Sequence, residues 1–249
     1  MTAETGRDGT TARRAELTAN LARVRSRIAA ACDAAGRDRG EVTMIAVSKT
    51  YPASDVLLLA GIGVSDVGEN RDQEAAGKAA EVAAAGVAVR WHFVGQLQRN
   101  KCRSVVRYAD LVHSVDSVRL AGALATAAHR GRDRPLDVLV QIGLDGDPRR
   151  GGAVAGDPDP DRGLDRVADA VAAADSLRLA GVMAVAPQGW PPDRAFGLLA
   201  DLAAGLRRRF PEAVVISAGM SGDLESAIGH GATHVRVGSA LLGMRSTLR

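Results

Sequence analysis

Apolar positions Leu17, Leu21, Val24 and Ile28 recur at helical spacing near the start of the chain, and Gly36 follows as a stop. This pattern predicts an amphipathic helix. Beyond it come short apolar runs, each followed by a polar or glycine-bearing turn and then an alanine-rich stretch of helical character. The runs are Thr43 to Ser48, Val64 to Gly68, Arg90 to Gly95, Leu111 to Val115, Leu136 to Ile142, Leu179 to Ala184, Ala213 to Ser217 and His234 to Val237. The intervening helices are expected over Arg71 to Ala85, Asn100 to Ala109, Ser117 to His129, Leu164 to Ala174, Arg194 to Arg209 and Leu224 to Ile228. Regular strand and helix alternation implies parallel strands. Eight repeats in 249 residues predict an α/β fold, a (β/α)8 barrel of the TIM type preceded by an N-terminal helix. An open, doubly wound sheet is the competing arrangement.

Residues 1–13 are polar and are expected to form a disordered tail, leaving 14–249 as a single barrel domain. Asp145 to Gly163, rich in glycine, proline and charge, is expected to be a long mobile loop after the fifth strand. The polar start carries no apolar core of the kind a signal peptide needs, and no apolar run is long enough to span a bilayer. A cytoplasmic location without membrane association is therefore expected.

Composition adds three points. A hydrophobic content of 46% suits a globular domain with a large core. The net charge of +3 is spread among acidic residues rather than gathered into a stripe, so nucleic acid is not an expected partner. Cys32 and Cys102 stand in unrelated contexts, and the five histidines show no ligand spacing, so neither a disulfide nor a metal site is expected. His92 and His113, on the third and fourth strands, are minor candidates for general bases. The 32 basic residues include only three lysines, Lys49, Lys78 and Lys101. A lysine on an apolar strand of an arginine-rich chain points to a need for a primary amine, because guanidinium cannot form an imine.

In such a barrel the functional residues gather at the C-terminal strand ends. Lys49 follows the apolar run Met44 to Val47 and would project its amine into the mouth. It is a candidate Schiff-base residue, the alternative being a structural ion pair. The glycine-flanked turns after strands seven and eight, with Ser221, Gly238 and Ser239, offer backbone N–H groups and hydroxyls suited to a phosphate. For Ser221 the alternative is helix capping. Arg236, on the apolar eighth strand, needs a partner, either a carboxylate across the barrel or the ring nitrogen of a cofactor. Asp223 and Glu225, next to the proposed phosphate cup, are expected to face solvent.

Several runs together resemble a known family. These are Ile45-Ala-Val-Ser-Lys-Thr50, Val67-Gly-Glu-Asn70, Trp91-His-Phe-Val-Gly-Gln-Leu-Gln98 with Asn100-Lys101, Gly181-Val-Met-Ala184, Gly219-Met-Ser221 and Val235-Arg-Val-Gly238. In this order they resemble the YggS/PROSC family of pyridoxal phosphate homeostasis proteins, from about residue 16 to the end of the chain. The resemblance implies a fold like the N-terminal barrel of alanine racemase. It also implies a role in binding, buffering or delivering pyridoxal 5′-phosphate (PLP) without established turnover. By the same resemblance Lys49 is the Schiff-base lysine, Asn70 lines the mouth, Ser221, Gly238 and Ser239 bind phosphate, and Arg236 meets the ring nitrogen. The implied partners are PLP and, as recipients, PLP-dependent apo-enzymes, and the chain is expected to be a monomer. Arg71 stands where many members have tyrosine, and Arg149-Arg150-Gly where many have Ser-Lys-Gly, so this loop lacks a second lysine for cofactor transfer.

The alternatives are an amino-acid racemase-like enzyme and a Schiff-base aldolase on a phosphate-binding barrel. The racemase reading is disfavoured because the chain ends soon after its eighth strand, leaving no room for a second domain with a second base. No catalytic residue is assigned.

Overall fold

The computed structural model describes residues 2–243, so the first and the last six residues of the chain lie outside the description. Eight parallel strands close in sequence order, β1 pairing with β8. They are β1 (Thr43–Val47), β2 (Asp66–Glu69), β3 (Arg90–Phe93), β4 (Leu111–Val115), β5 (Leu136–Gln141), β6 (Leu177–Met183), β7 (Val215–Ser217) and β8 (His234–Val237). The closed barrel, not the open sheet, is the arrangement adopted. The helices are α1 (Thr2–Ala34), α2 (Ala53–Gly61), α3 (Asp72–Ala84), α4 (Cys102–Val105), α5 (Val118–Gly131), α6 (Leu164–Ala172), α7 (Pro192–Arg209), α8 (Leu224–Gly229) and α9 (Ser239–Leu242).

Alternation along the strands separates two environments. Val112, Val138 and Val140 face outward and pack with Leu120, Leu124 and Val167 of the surrounding helices. Their neighbours Leu111 and Leu139 face the lumen, where they form a small apolar cluster with Ala180 and Met183. The rest of the lumen is polar, with His92, His113, Ser217, His234 and Arg236 all buried.

Helix α1 closes one side of the barrel. Leu17, Leu21, Val24 and Ile28 are buried against Leu224, Ile228, Leu241 and Leu242, the stripe read from the sequence. The helix is longer than expected and takes in residues 2–13 of the segment read as a disordered tail. At the edge of that segment Arg13 donates to Asp55 of α2 (2.7 Å) and to the carbonyl of Leu242 (3.0 Å). Once the downstream turns are packed, extending a helix backwards needs no new nucleation.

Three other expectations change. Helix α2 was not anticipated, because Val56 to Ala60 is continuously apolar and shows no helical period; burial of Ala53, Val56 and Leu59 reveals its inner face. The helix expected over 100–109 is a 3-10 turn at Arg99–Lys101 followed by the short α4. The loop after β5 folds back onto the barrel. Gly143 donates to the carbonyl of Ala153 (2.9 Å), Ala153 to that of Gln141 (2.7 Å) and Val154 to that of Arg162 (2.9 Å), and Ala153 is buried. These backbone bonds replace the free loop that glycine and proline content suggested.

Candidate functional site at the barrel mouth

Four adjacent strands, β7, β8, β1 and β2, carry the residues singled out from the sequence. Ala46 pairs with Val237 and Val47 with Gly68, which sets Gly238, Lys49 and Asn70 just beyond the paired strand ends on one side of the mouth. Lys49 is exposed and makes no hydrogen bond or ion pair among the described residues. The ion pair considered for it is absent there. The next residue, Thr50, has φ of 67°, a left-handed conformation unfavourable for a β-branched residue. Its N–H donates to Oε1 of Glu74 (2.5 Å).

Beneath this turn lies a buried polar cluster that sequence reading missed. Lys78 of α3 is 5% exposed; its Nζ donates to the carbonyl of Ser48 (2.9 Å), to Glu74 (3.2 Å) and to Oε1 of Glu69. The Ser48 hydroxyl also donates to Glu69 Oε1 (2.5 Å). Glu69 has no exposed surface, and burial pushes its carboxyl above the usual range while Lys78 and Ser48 pull it down. Lys78 thus ties the ends of β1 and β2 to α3 and fixes the segment that presents Lys49. A lysine in mid-helix reads from sequence as a solvated cation, and only the paired strand ends reveal its burial.

Asn70 follows Glu69. Its Oδ1 is buried and has no hydrogen-bond partner, leaving an unsatisfied acceptor at the mouth. Gly95, after β3, lets the Asn70 backbone approach, since a Cβ there would sit 2.1 Å from the Asn70 carbonyl oxygen. A cavity of about 540 Å³ opens between the ends of β2 and β3, bordered by Asn70, Glu74, Gln96, Gln98 and Lys101. It touches neither Lys49 nor Ser221. The arc from β7 to β2 is therefore the part of the mouth where the candidate residues converge.

At the other end of the arc, Gly219 has φ of 84°, and a Cβ there would lie 2.6 Å from that of Ala227, so only glycine fits. The turn it permits is held by Asp223, whose Oδ1 accepts from the Met220 N–H (2.6 Å). The expectation that Asp223 faces solvent is thus only half met, because the carboxylate is used within the turn. Glu225 is exposed and pairs with Arg27 of α1 (2.6 Å). Ser221 does not cap α8, which begins after Asp223 with no side-chain cap. Its Oγ accepts instead from the Ala240 N–H (3.4 Å) and the Ser239 hydroxyl (3.5 Å), joining the β7 and β8 turns. The N–H groups of Ser221, Gly222 and Ser239 donate to nothing among the described residues. Two serine hydroxyls beside three free N–H groups make a donor set suited to a phosphate dianion.

Arg236 is buried inside the barrel below this turn. Its Nη1 donates to Ser217 Oγ (2.7 Å) and its Nη2 to the carbonyl of Ala184 (2.9 Å). The carboxylate partner considered for it is not there; both acceptors are neutral. Burial pushes the guanidinium down to about 10, so it remains charged at neutral pH.

The arrangement can be tested against PLP by its chemistry. Among the described residues it offers an unpaired amine for an aldehyde, an orphaned acceptor at Asn70, free N–H groups and the Ser221 hydroxyl for a phosphate, and a buried guanidinium, so the residues fit the group.

Comparison with known proteins agrees with this chemistry. The family model described as alanine racemase, N-terminal domain, matches residues 16–246. A protein of Mycobacterium leprae (strain TN) named pyridoxal phosphate homeostasis protein is 47% identical over 243 residues, 93% of each chain. The solved structure of PipY from Synechococcus elongatus PCC7942, with PLP bound, is 30% identical with a TM-score of 0.75, covering 92% of this chain and 100% of that one. Alanine racemase from Corynebacterium glutamicum, 18% identical, shares the fold with a TM-score of 0.65 over 95% of this chain and 63% of its own. The chain therefore belongs to the alanine racemase N-terminal domain family and, within it, to the family of the pyridoxal phosphate homeostasis proteins.

Proposed function

We propose that this protein binds PLP at the mouth of the barrel and holds it for buffering or delivery to PLP-dependent apo-enzymes, without turnover. The observation that carries this reading is the convergence, on adjacent strand ends, of a Lys49 amine and of Ser221, Gly222 and Ser239 N–H groups that have no partner among the described residues. Lys49 would hold the aldehyde carbon covalently as a Schiff base. Ser221 and the Gly238-Ser239 turn would hold the phosphate, Asn70 would offer its orphaned oxygen to a donor of the ligand, and Arg236 would donate to the ring nitrogen.

Bound PLP supplies an electrophilic carbon and a ring that withdraws electrons strongly only when its nitrogen is protonated. Arg236 can donate a hydrogen bond to that nitrogen but does not give up its proton at neutral pH. A binding role is further supported by the positions of the candidate bases. His92 and His113 are sealed in the lumen. No helix among the described residues is long and apolar enough to cross a membrane.

Spectrophotometric titration with PLP tests the binding. The wild-type protein gains a saturable visible band, and Lys49→Ala does not. Incubating the loaded protein with L-alanine in deuterated water tests the absence of turnover. Steady deuterium incorporation at the α-carbon, lost in Lys49→Ala, would replace the carrier reading with a racemase-like one.

A further inference from the structure

The polar residues inside the barrel form one continuous chain. Asp66, the first residue of β2, accepts at Oδ1 from His92 Nε2 (2.9 Å). His92 Nδ1 lies 3.0 Å from His113 Nε2, and His113 Nδ1 lies 3.0 Å from Ser217 Oγ. Ser217 Oγ accepts from Arg236 Nη1. The chain starts at the end of the barrel opposite the mouth, passes through β3 and β4, and crosses the lumen to β7 and β8.

Its direction is set by its two ends. Guanidinium has donors only, and an ionised carboxylate has acceptors only. If both imidazoles are neutral, each link carries one hydrogen. Arg236 donates to Ser217, whose hydroxyl donates to His113 Nδ1; His113 Nε2–H donates to His92 Nδ1, and His92 Nε2–H donates to Asp66. The opposite polarity places His113 Nδ1–H and Arg236 both on Ser217 and leaves the serine proton without an acceptor among the described residues. Burial holds both histidines below their ordinary range, His113 most strongly, which agrees with neutral rings. Burial would raise Asp66, but the His92 and Ser65 hydrogen bonds outweigh it and keep the carboxylate ionised. His234, its ring centroid 6.1 Å from that of His92, and Arg90 and Asp110 also lie near His92, Asp223 acts on Arg236, and burial lowers His234 to about 4.

We propose that Asp66, His92, His113 and Ser217 are positioning residues, a one-way hydrogen-bond chain that fixes the rotamer of Arg236 so that its unused N–H groups serve the ring of the bound cofactor. Asp66 supplies the acceptor at which the chain ends. The proposal rests on the reading of Arg236 as the ring-nitrogen donor. Its first test needs no cofactor.

In the 15N NMR spectrum of the apo-protein at neutral pH, His92 and His113 should both be neutral with the proton on Nε2. An Nδ1–H tautomer or an imidazolium at either residue overturns the chain. The second test uses the loaded full-length protein and PLP labelled with 15N in its ring. Ser217→Ala should shift the ring-nitrogen resonance and speed cofactor release by about 2- to 30-fold, the usual range for coupling through such networks. Ser217→Thr, which keeps the hydroxyl, should restore both. Asp66→Leu, at the far end, should shift the His113 tautomer and release the cofactor faster, whereas Asp66→Asn, which keeps an acceptor, should do neither. Release rates and ring-nitrogen shifts unchanged in Ser217→Ala would overturn the positioning role even if Asp66→Leu does not fold. Wild-type protein that takes up no PLP would instead overturn the binding reading and leave the tautomer result to decide the chain.

Discussion

Replacing Lys78 by methionine keeps most of the side-chain volume while removing the cation that neutralises Glu69. The side chains of the pair are 4% and 0% exposed, so water cannot take over the lost hydrogen bonds. Removing one partner of a buried ion pair costs about 3–5 kcal/mol. The cost should depend on pH in a set direction. Burial already raises the Glu69 carboxyl above 4.5, and loss of Lys78 raises it further. A carboxyl raised in the folded state contributes stability that is present below its unfolded value and lost as pH rises through its folded value. The deficit of Lys78→Met relative to wild type should therefore be small near pH 5 and approach ~4 kcal/mol near pH 8. Urea denaturation followed by circular dichroism at the two pH values measures it. Adding Glu69→Gln should recover part of the loss near pH 8 and remove the pH dependence. A deficit below ~1 kcal/mol near pH 8, or one equal at both pH values, would refute the claim that this pair holds the Lys49 segment.

Gly219→Ala meets both a left-handed backbone and a Cβ contact at 2.6 Å, so it should cost ~1–3 kcal/mol in urea denaturation and abolish PLP uptake at concentrations that saturate wild type. Leu21→Ala, at the buried α1 contact, should cost ~2–5 kcal/mol in the same assay, while Arg27→Ala, which breaks only the exposed pair with Glu225, should cost less than ~1 kcal/mol. His234 is lowered by burial to about 4, so the unfolded state binds more protons between pH 4 and 6.5 and stability should fall as pH drops through that window. A pH–stability profile of wild type against His234→Phe should show a shallower acid slope in the variant.

The barrel was legible because each strand is a short apolar run with its own turn, and because repetition counts strands without needing their pairing. The placement of Lys49, Ser221, Gly238 and Ser239 beyond the strand ends was legible for the related reason that turns follow the apolar runs. The lumen was not. His92, His113, Ser217 and Asp66 come from four strands, and nothing in their spacing says that closure brings β4 opposite β7. Each looked like an isolated polar residue on an apolar strand, and Arg236 seemed to need a carboxylate where the structure gives it a serine hydroxyl and a backbone carbonyl. Helix α2 was missed because its outer face is as apolar as its inner one, and α1 was read short because residues 2–13 carry no apolar stripe in the sequence.

The central claim is that Lys49 holds the cofactor. Reducing the PLP-loaded protein with borohydride fixes any carbon–nitrogen bond between lysine and the cofactor, and proteolysis with mass spectrometry then locates it. The account predicts stoichiometric labelling of the peptide containing Lys49, with no labelling of Lys78 and none of Lys101 beyond background. Labelling that falls chiefly on Lys101, or that persists at wild-type yield in Lys49→Ala, would contradict it.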